Sequence, residues 1–497
     1  MGVAPVTRPD PTTLGRKDSW EGVRVVVAGF GTSGAAAVDN LLHLGAEVRA
    51  VAESVSPKLV ERAELLEVLG ARIDVHEGAT SRLPDDVDLL VVSPGFRPDA
   101  AIITAARERS VPVWGEVELA WRLRDPEHPA PWLCITGTNG KTTTVQMLDS
   151  ILRAAGLRSV AAGNVGLPLT EAVMDPEPYD VIAVELSSFQ LHYTDTMAAE
   201  SAAVLNVAED HLDWYDGPSA MDDYARDKGR IYRGVERACV YNVADPATEQ
   251  LVRDADVVEG ARAIGFTLGV PGPGMVGVVD DILVDRAFIE QRSTSAAELC
   301  TLADLASNAP HFVANALAAA ALARAHGISQ AAVRDGLRSF QPDGHRIAVV
   351  AEHGGITWVD DSKATNPHAA ASSLAAFAPV VWVAGGLAKG AGFDDLVRQV
   401  GDRLRAVVLI GQDRDVIAQA LSRHAPDVPV IDVDSDETGD HVGDDRMRRV
   451  VAAAAGLAQA GDTVLLAPGC ASMDQFSDYA ARGDAFAAAV RDWIGES

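Results

Sequence analysis

Cysteine is scarce in this chain of 497 residues. There are four, at positions 134, 239, 300 and 470, each standing alone. That scatter makes neither a metal-binding spacing nor a disulfide framework, and a cytoplasmic location is expected. Positive charge is also short. Against 71 Asp and Glu stand 42 Lys and Arg, a net charge of −29. With no basic stripe to displace counterions, nucleic acid is excluded as a partner. No apolar run reaches membrane-spanning length, so no membrane partner is expected. Residues 1–21 hold Pro, Thr and Arg but no apolar core. They read as a disordered tail, not a signal peptide.

What the chain does have is a soluble composition, 48% apolar and 23% charged. Its length calls for two to four domains. The stretch from Pro131 to Thr144 organises it. An apolar run, Trp132 to Ile135, reads as a buried strand, and Lys141 and Thr142 open a helical pattern. Between them lies Gly137-Thr138-Asn139-Gly140, with Thr143 just beyond. Strand, glycine loop and helix together cradle a phosphate: backbone N–H groups and the helix N-terminus point at the anion, Lys141 adds charge, and the Thr142 hydroxyl can reach Mg²⁺. The loop is shorter than the common P-loop, because Ile135 stands where that pattern has its first glycine. A chance Gly-Lys-Thr turn is the bland alternative; the flanking strand and helix favour nucleotide binding.

Upstream, a β-branched strand, Val23 to Val27, ends in Gly29-Phe-Gly31-Thr32-Ser33-Gly34, and a second strand ends at Glu53. This fits a dinucleotide fingerprint and by itself would suggest NAD, although any pyrophosphate at a helix N-terminus satisfies the same geometry. Another strand ends at Ser93-Pro-Gly95. Proline-rich Leu123–Pro131 and Ser339–Gly344 read as hinges. The domains are therefore expected at 22–129, 130–341 and 342–497. The fold class is α/β in three domains: an N-terminal Rossmann-like domain, a central P-loop ATPase-like parallel sheet, and a C-terminal Rossmann-like domain of four strands. The acidic run Asp432 to Asp445 reads as a solvated loop.

Acids and a histidine stand at strand ends of the central domain, where open α/β sheets place ligand chemistry. Glu185 could share Mg²⁺ with Thr142 if their strands are neighbours, and otherwise is a turn acid. His211 is as readily a structural histidine. Lys228, within Tyr224-Ala-Arg-Asp-Lys-Gly-Arg-Ile-Tyr232, reads as ordinary charge on a helix surface. In the last domain Asp361-Ser-Lys363-Ala-Thr365-Asn, Gly385-Gly386 with Lys389, and Cys470-Ala-Ser472 suit a small carboxylate substrate, or are polar turns.

Together these stretches resemble the Mur ligase family, which builds the peptide stem of peptidoglycan. The resemblance runs from about Val23 to the C-terminus. Thr136 to Thr143 is similar to the family's ATP loop; Gly163-Asn164-Val-Gly166, Glu185-Leu-Ser187-Ser-Phe-Gln190 and Asn206 through His211 are more specific. The motifs of the last domain, with Pro468 to Phe476, are similar to the branch that adds D-glutamate. The resemblance implies an ATP-driven amide ligase acting on UDP-N-acetylmuramoyl-L-alanine and D-glutamate, as a monomer. It implies that Gly31, Thr32, Ser33, Glu53 and Ser93 lie along the UDP moiety, and that Asn164 and Ser187 touch the muramoyl substrate. Asn315, Arg346 and Asp361 become nucleotide contacts. Lys363, Thr365, Lys389, Ser472 and Tyr479 surround D-glutamate. Lys228 becomes a lysine carbamylated by CO₂, and two Mg²⁺ ions draw on Thr142, Glu185, His211 and that carbamate. His211 is also a candidate to take the amine proton, although a metal-ligating histidine is a poor base.

The chain departs from the family pattern twice. Phe312 follows His311 where asparagine is usual, and Leu387 stands where aspartate is common before Lys389. Rival readings are a ligase of different amino-acid specificity, a non-catalytic nucleotide sensor and an NAD-dependent dehydrogenase. The set Lys141, Glu185, His211 and Lys228 speaks against the sensor, and the ATP loop against the dehydrogenase.

Overall fold

The computed structural model describes residues 8–215, 217–342, 344–433 and 443–495, the side chains of 443–445 excepted. Its contacts define two compact units, one running through Val207 and resuming at Asp222–Phe340, the other made of Ala208–Met221 and Gln341 onward.

The first unit contains two sheets. Five parallel strands lie in the order Arg72–Val75, Glu47–Ala52, Arg24–Ala28, Leu89–Val92 and Val113–Gly115. Runs such as Val25-Val26-Val27 and Leu89-Leu90-Val91-Val92 are buried throughout, as strands covered on both faces must be. The order reverses at Arg24–Ala28, so the glycine turn after it and the Ser93 turn after its neighbour open on one crevice.

The second sheet has nine strands. Seven are parallel, in the order Ser159–Gly163, Val181–Glu185, Trp132–Thr136, Ser201–Val204, Ala238–Asn242, Arg262–Phe266 and Met275–Val279. Ile282–Asp285 and Ala297–Thr301 then continue it antiparallel. The strand feeding the phosphate loop sits between the strands that end at Glu185 and just before Asn206, with Ile135 paired to Glu185 and Thr136 to Val204. The neighbour condition on Glu185 is met. Over the sheet lies the alanine-rich helix Pro310–His326, which starts on a proline and stops at Gly327 in the left-handed region, the usual asymmetry of helix ends.

Buried acids stitch the two sheets together. Glu116 accepts from the Thr170 N–H at 2.6 Å and its hydroxyl at 3.0 Å, while Glu118 accepts from the Asp195 and Thr196 N–H groups at 2.8 and 2.9 Å. Burial pushes the Glu116 carboxyl up to about 7. The expected disordered tail must be corrected over residues 8–21. Trp20 is fully buried, its N–H donates to Leu44 O at 3.1 Å, and Arg16 reaches Val173 O at 2.7 Å. One tryptophan in a polar stretch suffices to pin it. Residues 1–7 of that expectation lie outside the described residues.

The second unit holds six strands, Ala348–His353, Ile356–Asp360, Thr463–Leu466, Val380–Gly385, Leu404–Ile410 and Val430–Asp432, parallel except for the first pair. The four expected strands are present, joined by an edge hairpin strand and a short edge strand. The expected acidic loop loses its first residue to that edge: Asp432 ends the strand and pairs with Arg414 at 3.0 Å. Residues 434–442 of it lie outside the described residues, and 443–445 open the helix Gly443–Leu457 instead.

Candidate active site

The phosphate loop is held from several sides. Asn206 clasps Asn139, accepting its N–H at 2.8 Å and donating to its carbonyl at 3.0 Å; the Thr138 N–H donates to Asn206 O at 3.0 Å. Gly140 caps the helix Lys141–Ala154 from the left-handed region, at φ 85°. A Cβ there would strike the Asn315 amide. Lys141 folds back on the loop, its Nζ donating to Gly137 O and Thr138 O at 2.9 Å each. Thr142 and Thr143 follow in the first turn, the latter buried.

Lys228 overturns its reading as surface charge. It is 2% exposed. The helix Ala220–Gly229 turns Tyr224 and Lys228, four residues apart, onto one face. The Tyr224 hydroxyl lies 3.0 Å from Thr138 Oγ1, and Lys228 Nζ donates to Gly137 O at 3.0 Å while standing 4.3 Å over the Tyr224 ring. Two ammonium groups therefore bond one carbonyl oxygen, Gly137 O. Their repulsion in a buried site would be relieved by turning either cation into an anion.

Glu185 is 1% exposed at its strand end; Oε1 accepts from Asn164 Nδ2 at 2.8 Å, and Oε2 is buried with no hydrogen-bond partner. Asn315 Nδ2 and Ser93 Oγ are likewise buried without partners. Buried polar atoms of native proteins are otherwise almost always paired. These three, among several such atoms in the described residues, fall on residues expected to meet ligand, and Glu185 Oε2 has the chemistry to meet a hard cation. Ser187 caps the helix Ser188–His192 and exchanges hydrogen bonds with Gln190.

At the first sheet, Gly31 caps the helix Thr32–His43, which places Thr32 and Ser33 in its first turn. Glu53 behaves differently from a ribose-binding acid. Its two oxygens already accept from the Gly78 N–H at 2.7 Å and from the Thr80 N–H at 3.2 Å and hydroxyl. The Thr80 hydroxyl, followed by these backbone groups, holds the Glu53 carboxyl below its usual range.

In the second unit, His211 sits in the left-handed region at φ 55°, its Nε2 3.7 Å from Asp210 Oδ1. Asp210 Oδ2 accepts from Asn366 Nδ2 at 3.2 Å, tying this segment to the third sheet. Asp361 is buried, bonded by the Ser373 hydroxyl and the Ile347 N–H, and burial pushes its carboxyl up to about 7. Arg346 acts on the same carboxyl in the opposite direction. Lys363 lies 5.3 Å over the Tyr479 ring, Thr365 follows two residues on and is half-buried, Lys389 holds φ 50°, and Ser472 is buried. Phe312 packs on Phe340, whereas the two 2.9 Å hydrogen bonds between Leu387 and Ala471 are backbone bonds that any residue there could make, and nothing in the structure explains the leucine. Thr142, Glu185 and Lys228 fall in the first unit and His211 in the second. Sequence reasoning passed over Tyr224 as a contact of the loop and gave Asn206 no role; a tyrosine four residues before a lysine was the available signal.

Known proteins share this arrangement. Residues 23–115 match the model of the Mur ligase MurD-like N-terminal domain, 135–323 the Mur ligase middle domain, and 345–470 the Mur ligase glutamate ligase domain. UDP-N-acetylmuramoylalanine--D-glutamate ligases are similar along nearly their whole length. That of Streptomyces avermitilis is 59% identical, covering 95% of this chain and 99% of its own. That of Mycolicibacterium smegmatis is 46% identical, covering 95% and 97%. Among solved structures, UDP-N-acetylmuramate-alanine ligase from Thermotoga maritima superposes with a TM-score of 0.54 at 17% identity, over 96% of this chain and all of that one. At that identity it speaks for the fold alone. The relatives and the three domain models, in order and over nearly the full length, show that this chain belongs to the Mur ligase family.

Proposed function

We propose that the chain is an ATP-dependent amide ligase that joins D-glutamate to UDP-N-acetylmuramoyl-L-alanine through an acyl phosphate, a cytoplasmic step in peptidoglycan precursor synthesis. The observation that carries this is the full-length match to D-glutamate ligases at 46–59% identity. In this reading residues 22–129 take the UDP moiety, 130–341 ATP and 342–497 D-glutamate, and a single chain is the working unit. Gly31, Thr32, Ser33 and the orphaned Ser93 hydroxyl line the UDP side, and Asn164 and Ser187 the muramoyl side. Glu53, oriented by the Gly78–Thr80 turn, borders the uridine end, and the rest of the chain, which calls for a UDP-linked substrate, argues against NAD there. Calorimetric titration tests this: tight binding of NAD with no response to the UDP-muramoyl compound would overturn it.

The L-alanine carboxylate attacks the γ-phosphorus, the bridging P–O bond breaks and ADP leaves. The D-glutamate amine then forms the C–N bond at the acyl carbon as phosphate departs, and the amine gives up a proton to water or to His211. The loop 137–143 positions the triphosphate through backbone N–H groups, and a phosphate oxygen would draw Lys141 Nζ from one of its two carbonyls. Asn315, Arg346 and Asp361 hold the nucleotide. Mg²⁺, as two ions on Thr142, Glu185, His211 and a carbamate of Lys228, would offset the charge of the transferring phosphoryl group when bound. Carbamylation joins the neutral Lys228 amine to CO₂, and the displaced proton goes to water. Lys363, Thr365, Lys389, Ser472 and Tyr479 bind D-glutamate.

Phosphate release measured with each amino acid in turn tests the specificity; D-glutamate alone should support turnover, and release driven by L-alanine would overturn it. Lys228→Ala should lose most activity and regain part with added acetate. Full activity of Lys228→Ala without additive would remove the carbamate from the scheme.

A further inference from the structure

The helix Ala220–Gly229 holds more than the loop. Next to Lys228 on the helix and turned from it by about 100°, Asp227 is 7% exposed, and its Oδ2 stands 2.8 Å from Nδ1 of the part-buried His192. An aspartate only accepts, so Nδ1 carries the hydrogen. His192 is the last residue of the helix Ser188–His192, which begins three residues after Glu185 and is capped by Ser187. Its next neighbour is fixed as well, the Tyr193 hydroxyl donating to Phe96 O at 2.7 Å. Farther along, Arg230 Nη2 donates to Thr194 O at 2.9 Å and to Asp195 Oδ1 at 2.8 Å. Three residues of a single helix thus make two grips. Tyr224 and Lys228 grip the phosphate loop, and Asp227 grips the segment that follows Glu185.

We infer that the His192–Asp227 pair is a positioning device for Lys228, setting the rotation of its helix so that Nζ faces the Glu185 strand end. The inference rests on the carbamate reading of Lys228. The helix has ten residues and a polar sequence with little apolar surface to fix its rotation, so its orientation depends on specific bonds. Tyr224 and Lys228 both contact the same loop, from one face of the helix. The Asp227 bond reaches a different element and so fixes a second side of the helix. A mere surface latch would have no reason to be buried beside a lysine that must keep one geometry in order to share a metal with Glu185. Neither partner touches substrate in this arrangement; both act through Lys228.

The test uses the full-length protein with ¹³C-bicarbonate, reading the carbamate carbonyl signal by NMR beside steady-state kinetics. His192→Ala and Asp227→Ala should each raise the bicarbonate needed for half the carbamate signal and lower kcat by about tenfold, the scale of a lost charge-assisted hydrogen bond. The KM for ATP should stay within about twofold, since the loop contacts of Tyr224 remain. His192→Asn, which keeps a donor near Nδ1, should recover most of both. In the double variant the losses should not multiply, because the pair acts as one unit. Thermal unfolding checks folding, and approaching the bond from both partners exposes a defect peculiar to either. An unmoved carbamate signal and kcat in the folded Ala variants, or losses that multiply in the double variant, overturn the inference. Lys228→Ala separates the two levels: a carbamate signal surviving there sinks the reading of the lysine itself, whereas a signal lost there but unmoved in His192→Ala sinks only the positioning role.

Discussion

At the phosphate loop, side chains reach in and hold backbone. At the strand ends of the third sheet, backbone approaches backbone so closely that no side chain fits. Asn206, Lys141 and Lys228 all bond main-chain atoms of the loop 137–139. Around Gly385, Gly386 and Gly411 the neighbours are instead the Ile410 and Ala471 carbonyls and the Gly386 backbone. The first arrangement can loosen one bond at a time. The second cannot loosen without moving a strand, which suits a rigid platform for a small substrate.

The sharpest way to break that contrast is to add one methyl group to each. At Gly385, φ is 122° and a Cβ would collide with the Ile410 carbonyl. Overpacking and left-handed strain together make Gly385→Ala cost about 4 kcal/mol of unfolding free energy. Gly140→Ala meets only the Asn315 side chain, which can turn away, and should cost about half as much. Denaturant titrations giving equal losses would remove the distinction.

A buried acid adds a term that belongs to the first unit. The Glu116 carboxyl rises from 4.5 to about 7 through burial, against the Thr170 hydrogen bonds. The folded state therefore holds this proton more tightly than the unfolded chain. Its contribution is fully present below pH 4.5 and is lost as pH climbs through 7. Glu116→Gln keeps the acceptor for Thr170 and has nothing to ionise. Relative to the parent it should gain up to about 3 kcal/mol between pH 4.5 and 8. Parallel pH–stability curves for the two proteins would refute the assignment.

Substrate kinetics set the same two regions against each other. If Lys389 and Ser472 clamp the D-glutamate carboxylates, Lys389→Ala and Ser472→Ala should raise its KM by about 10- to 150-fold, from roughly 1.5–3 kcal/mol per charge-assisted hydrogen bond, with the KM for ATP nearly unchanged. A matched rise for ATP would place these residues in the nucleotide cleft instead.

The same contrast explains what the sequence made legible. Strand, glycine loop and helix are local, so the phosphate loop could be read from fourteen consecutive residues. The third sheet's glycines were visible as turns, and the carbonyls they meet were not, because Ile410 ends another strand and Ala471 follows a third. Lys228 looked idle because burial is tertiary: Asp-Lys-Gly-Arg is polar however it packs. The antiparallel strands Ile282–Asp285 and Ala297–Thr301 escaped notice as short runs beside a Gly/Pro-rich segment. Trp20 was a lone aromatic whose partner, Leu44, is the end of a distant helix.

Tyr224 gives the smallest and most discriminating test. Its ring and its hydroxyl do separate jobs, the ring lying under Lys228 Nζ at 4.3 Å and the hydroxyl reaching Thr138 at 3.0 Å. Tyr224→Phe removes only the second. One neutral hydrogen bond is worth about 0.5–1.5 kcal/mol, so the KM for ATP should rise about two- to twelvefold. The D-glutamate KM should not move, and neither should the carbamate signal, because the aromatic face that meets Lys228 is retained. If the carbamate signal falls with the hydroxyl, Tyr224 acts on the lysine and the loop as one network, and the separation of jobs fails. If nothing changes, the loop keeps its shape through Asn206 and the lysines alone, and the comparison with the third sheet narrows to those three side chains.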